Sequence, residues 1–198
     1  MTAETSVVTV SKLDAAHAQL RTAITLWFTD GDPISIHALA FAAYEVVHVI
    51  SKKRNPHRRD LLFDTDLIKD EYRSDFNKRI KRHAYFFKHA DRDPDGVVEF
   101  NPEINQWLML FAVLGRELCG LPVSQEESAF LWWSQIHDPK LLTEAGQKMI
   151  VNLLDVETIS SIRSLPKVDF FHSFRDAQYL IRKYSASLPV GTIVSPDC

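Results

Sequence analysis

The sequence predicts an all-α fold, a single-domain bundle of roughly seven helices, and three observations predict it. Apolar residues recur at helical spacing in one segment after another, and helix-start signals head those segments. No stretch sustains the alternation of a half-buried strand, and nothing repeats at a fixed period. With 198 residues, 45% of them hydrophobic, the chain is long enough to bury one substantial core. The expected organisation is a loose leader over 1–10, one helical domain over 11–186 and a tail over 187–198.

The elements follow in order. Ser11 and Asp14 form a capping box for a first helix, whose stripe is Leu13, Ala16, Leu20, Ile24 and Trp27 and which stops near Asp30-Gly31. Asp32-Pro33 starts a second helix running to about Ser51, since proline suits a first helical turn. On a helical wheel Ile36, Leu39, Ala43, Val46, Val47 and Ile50 make one apolar face, and His37, Phe41, Tyr44 and His48 make another, so this helix is expected to be buried on both. Lys52 to Arg59 reads as an exposed basic loop, and a third helix is expected from about Thr65 to His89. Its core stripe is Phe76, Ile80, His83 and Phe87.

The turn-rich segment Asp91 to Gly96 leads to a short extended piece, Val97 to Phe100, and then to a fourth helix opened by Asn101-Pro102-Glu103 and ended by Gly120. Ser124 with Glu127 is another capping box, opening a helix through Phe130, Leu131, Trp132 and Trp133. Pro139 opens one with Leu141, Leu142, Met149, Ile150 and Leu153, and the last helix spans about Asp169 to Ser185.

The net charge is only −3, but it is unevenly placed: Ser51 to Arg92 holds 13 Lys/Arg against 7 Asp/Glu, leaving 10 against 19 elsewhere. Cys119 and Cys198 have no paired spacing, so no disulfide is expected. The N-terminus shows no basic stretch followed by an apolar run, and no run of apolar residues is as long as a membrane span; a cytoplasmic location and no membrane partner are the expectation. Glycine-rich phosphate loops, nucleophile elbows and paired-cysteine zinc motifs are absent, and no cofactor is expected.

In the third helix, Arg82 and His89 are seven apart and share an outward face with Asp75, flanked by Tyr85 and Phe86. Aromatic residues beside charges on such a face suggest an interface. An arginine, a polar residue directly after it and a histidine six positions further on resemble the motif of the HEPN superfamily. That resemblance implies a helical bundle, often a homodimer, and for many members a metal-independent ribonuclease of toxin–antitoxin or phage-defence systems. It implies Arg82 and His89 as the catalytic pair, with histidine moving a proton at the ribose 2′-hydroxyl or the leaving oxygen, arginine stabilising phosphate charge, and the basic 51–92 region holding RNA. His83 stands where the family commonly has asparagine, and the helices from Ser124 onward exceed a minimal bundle of that kind.

Two alternatives rest on other residues. His37, Tyr44 and His48 share a helical face that would suit a small ligand in a non-catalytic binding protein, or a buried histidine-aromatic stripe. Glu45-x-x-His48 has di-iron spacing but lacks the second such motif. Asp91, Asp93, Asp95 and Gly96 match the first half of a calcium loop, with Glu99 in register. Position twelve, however, is Pro102, so the choice there lies between a weak cation site and an aspartate-rich turn.

Overall fold

The structure, a computed structural model, describes residues 7–56, 70–89, 91, 93–141, 144, 148, 152 and 154–187. It is all-α: the described residues form seven α-helices and one 3-10 turn, with no strand. We number the helices α1 (Lys12–Phe28), α2 (Pro33–Arg54), α3 (Asp70–Phe86), α4 (Ile104–Leu118), α5 (Gln125–His137), α6 (Val156–Ser164) and α7 (Lys167–Ser187). The chain divides into two compact units, residues 1–134 and 135–198.

In the first unit α2 lies against α1, α4 and α3. Both of its predicted apolar faces are buried: Ile36, Ala43 and Val47 on one, His37, Phe41 and Tyr44 on the other. By length and composition alone α2 could cross a membrane, with a mean hydropathy of 1.5 over its most apolar window. In the fold those positions meet Ala16, Leu20, Ala23 and Ile24 of α1 and Leu108, Met109, Phe111 and Ala112 of α4 as the shared core. Each fully buried large side chain of this set contributes about 1.5–3 kcal/mol.

The helix ends obey the local chemistry. Ser11 Oγ accepts from Asp14 N at 3.1 Å while Asp14 Oδ2 accepts from Ser11 N at 3.1 Å, which completes the capping box of α1. Asp32 Oδ1 accepts from Ser35 N at 2.7 Å to cap α2. Two helices end in six-to-one and five-to-two backbone bonds around a left-handed residue: Asp30 (φ 52°) after α1 and Gly120 (φ 74°) after α4.

The basic loop expected from Lys52 is corrected in part. Lys52, Lys53 and Arg54 are the last turn of α2, where cations favour the negative end of the helix dipole, and Arg54 Nη1 donates to Cys119 O at 3.2 Å. Asn55 leaves the helical region because Pro56 follows it. Residues 57–59 lie outside the described residues, as do residues 65–69 of the predicted third helix and the Phe76 side chain. Val97 to Phe100 carry no regular structure.

Between α4 and α5 the predicted Ser124/Glu127 box is present, and it does more than cap. Ser124 N donates to Glu127 Oε2 at 2.7 Å, while Glu127 Oε1 accepts Arg116 Nε at 2.5 Å in a pair that is almost wholly buried. Arg116 Nη2 also donates to Pro122 O at 3.3 Å, and His17 Nε2 of α1 stands 4.0 Å from Glu127 Oε2. A second pair, Arg21 with Glu126, is bidentate at 2.9 and 3.1 Å but leaves the arginine half exposed.

In the second unit, Pro139–Leu141 is a 3-10 turn; Leu142, Met149, Ile150 and Leu153 of the helix predicted there lie outside the described residues. α6 is an element not expected from the sequence. Asp155 caps it by accepting from Thr158 N at 2.6 Å; Val156, Ile159 and Ile162 recur at helical spacing, but over only nine residues, and none of them is fully buried. Arg163 Nε donates to Ile136 O at 2.8 Å, and α7 begins two residues earlier than predicted, with Phe170 and Phe171 buried.

Arg116→Ala leaves the Glu127 carboxylate buried without its cation, and a loss of about 3–5 kcal/mol in urea denaturation is expected. Arg21→Ala removes an exposed partner and should cost less than about 1 kcal/mol. Gly120→Ala meets no atom within 4 Å but must hold a positive φ, so a loss of about 1–2 kcal/mol is expected from backbone strain alone.

Candidate functional site

The described part of α3 turns Ile80 and Ala84 inward, and leaves Lys78, Arg79, Lys81, Arg82 and Tyr85 exposed. Arg79, Arg82 and His83 are three and four residues apart, hence neighbours on one side of the helix. That side faces the irregular segment Val97 to Asn101 and the first turn of α4, and between them lies a cleft of about 800 Å³. Its opposite wall carries Glu99, Phe100, Asn101, Glu103, Ile104 and Trp107. His83 Nε2 donates to Glu99 O at 3.0 Å and so ties the two walls together.

The walls differ in charge. The α3 wall holds two guanidinium groups, whereas the opposite wall holds the carboxylates of Glu99 and Glu103 and the indole of Trp107. Asn101 braces this second wall: its Oδ1 accepts from Glu103 N at 3.0 Å and its Nδ2 donates to Glu103 Oε2 at 3.3 Å. The cleft is therefore polarised across its width, with an aromatic surface in its lining.

Beside His83 in the cleft lining, the core is packed with rings. His37, His83, Phe87 and Phe100 sit with centroids 5.1–6.3 Å apart. His37 is wholly buried, and Asn105 sets its tautomer. Asn105 Nδ2 donates to Pro33 O at 3.0 Å, so its Oδ1 faces His37 Nδ1 at 2.9 Å and accepts the ring proton. His37 Nε2 and His83 Nδ1 are buried and make no hydrogen bond of good geometry, although the Ile80 backbone lies near enough to His37 to favour its charged form.

The predicted residues are distributed over several places. Arg82 lines the cleft. His89 follows the end of α3, is half exposed, stacks on Tyr85 with centroids 5.8 Å apart, and has Asp91 Oδ1 3.9 Å from its Nδ1; it is not part of the cleft lining. His37 is held by Asn105, while Tyr44 stacks with His48 at 5.7 Å and meets the Phe111 ring at a tilt at 6.4 Å, so the three lie in the packed interface of α2. Glu45 is exposed. The aspartate turn spreads its carboxylates: Asp91 lies by His89, Asp93 lies over Gly96 where a Cβ would strike it, and Glu99 faces the cleft. Among the described residues no group of three or more His, Cys, Asp or Glu is placed to hold a metal ion.

Arg79 and Trp107 were not singled out from the sequence, and Asn101 was read only as part of a helix start. The spacing of Arg79 to Arg82 and His83 was readable on a helical wheel. Nothing local announces that Trp107 would face them, because that meeting depends on how α3 and α4 pack.

Burial holds the His37 imidazole below its ordinary value of 6.5, against the upward pull of its bond to Asn105; burial and the Arg116 guanidinium act likewise on His17. As pH falls through about 6.5 these two histidines thus bind more protons in the unfolded chain than in the folded one. Their contribution to stability is complete above that pH and is lost on acidification. His37→Asn keeps a donor toward Asn105 but does not titrate, so its urea stability should fall less steeply than wild type between pH 7 and 5. Equal slopes would show that His37 is not the cause.

Comparison of the chain with protein-family models, curated proteins and solved structures finds no match to any of them.

Proposed function

We propose that the protein binds RNA in the cleft between α3 and α4, and, on the resemblance of Arg82 and His89 to the HEPN motif, that it is a metal-independent ribonuclease. The observation that supports binding is the polarised cleft. Arg79 and Arg82 suit a phosphate, Trp107 suits a flat base, and Glu99 and Glu103 opposite suit the donor-bearing edge of an amino base. A simple anion would meet the same carboxylates at a cost, whereas a nucleotide carries the complementary pair of ends. The basic balance of residues 51–92 adds the long-range attraction that a polyanion requires.

In the cleavage reading the ribose 2′-hydroxyl attacks the adjacent phosphorus, the bond to the 5′-oxygen breaks, and a cyclic phosphate and a free hydroxyl result. Arg82 stabilises the phosphate charge. His89 takes the proton of the attacking hydroxyl or returns one to the leaving oxygen. This chemistry needs no second reagent.

Fluorescence anisotropy with labelled single-stranded RNA tests binding. Affinity should fall steeply with salt, and Arg79→Ala or Arg82→Ala should each lower the salt slope by about 1. Incubation of RNA in chelator tests cleavage: wild type should cut, and Arg82→Ala and His89→Ala, folded by circular dichroism, should not. Binding without cutting removes the ribonuclease and keeps the RNA reading; a wild type that binds no RNA removes both.

A further inference from the structure

The outward stripe of α3 has a feature that cleft binding does not use. Tyr85 is 50% exposed and lies against the His89 ring at a 30° tilt, which presents an aromatic and imidazole pair on the surface beyond the helix end. Along a helix Arg82 lies about 100° from His83 on one side and about 60° from Tyr85 on the other. Arg82 therefore belongs to both places. It lines the cleft with Trp107, and it neighbours Tyr85 one turn further along.

Several charges near the pair are engaged. Lys78 pairs with Asp75 at 3.8 Å, Asp91 stands by His89, and Lys88 lies over the Phe41 ring at 5.2 Å. Lys81 and Arg82 are exposed. An exposed ring pair reached from an arginine, with a second aromatic residue on that arginine's other side, is the arrangement that stacks successive unpaired bases and holds the phosphate between them. A duplex does not fit it, because its base faces are already stacked and paired.

We propose that the cleft and the outward stripe of α3 form one track for a single RNA strand. One base stacks on Trp107, a following base stacks on the Tyr85–His89 pair, and Arg82 holds the intervening phosphate. The inference rests on the RNA reading above and narrows it to single strands of at least two nucleotides.

Titration calorimetry with adenosine monophosphate, a 5′-phosphorylated adenosine tetranucleotide and a short RNA duplex tests it, in wild type, Tyr85→Ala, Tyr85→Phe and Trp107→Ala. The tetranucleotide should bind about tenfold more tightly than the mononucleotide and more tightly than the duplex. Tyr85→Ala should abolish that tenfold gain and leave the mononucleotide unchanged, Tyr85→Phe should restore the gain, and Trp107→Ala should weaken both ligands. A Tyr85→Ala protein that binds the tetranucleotide as wild type does overturns the track while leaving the RNA reading in place. Loss of self-association in Tyr85→Ala by light scattering, with tetranucleotide affinity unchanged, also overturns it and makes the stripe a contact between copies of this chain. A wild type that binds none of the three overturns both readings.

Discussion

The first unit depends on one constraint, the burial of α2 on two faces. A helix with one apolar face needs one neighbour; α2 needs several, and α1, α4 and α3 supply them. Because Ile36, Ala40, Ala43 and Val47 are small or branched and lie close to the axis, neighbouring helices can approach closely. His37 is the polar exception in this interior. It is tolerated because Asn105, anchored in turn on Pro33 O, accepts its ring proton. The same bonds tie the first turn of α4 to the first turn of α2, and so set the position from which Trp107 enters the cleft.

A second tie acts at the other end of α4. A salt bridge as buried as Arg116–Glu127 gains little over apolar residues of the same shape, since two charges have left water. Its effect is on geometry. Glu127 is engaged at once by the Ser124 amide and by Arg116, so the cap of α5 and the last turn of α4 cannot be placed independently. Gly120 permits the reversal between them by holding the left-handed conformation that ends α4. Arg21 and Glu126 reinforce the same junction from α1, at the surface, where water weakens the pair.

The cleft draws its character from having unlike walls. A continuous helix provides the basic wall, and its arginines are in register because of helical spacing. The acidic wall is irregular chain, braced by Asn101 within itself and by the His83 bond to Glu99 O across the gap. His83 is thus a structural group in the lining: its Nε2 proton is committed to the opposite wall, and its Nδ1 faces the ring cluster without a partner.

Much of this fold was determined by the sequence alone. The capping boxes at Ser11 and Ser124, the Asp32-Pro33 start and the glycine stop at Gly120 are local events, decided within a few residues by side chains that satisfy nearby amides, and the structure carries all of them. The two-faced character of α2 was equally legible, since periodicity states which residues must leave water. The α6 helix was not, because its apolar stripe of Val156, Ile159 and Ile162 is short and none of the three is fully buried. The extra turn of α2 was also missed, because Lys52 to Arg54 resemble a loop in composition although they suit a helix C-terminus. Only the tertiary structure decided that Arg82 shares a cleft with Trp107 while His89 stands outside its lining, and that His37 belongs to Asn105. Those pairings join residues far apart in the chain, and spacing within one helix carries no information about the wall that another segment will place opposite it.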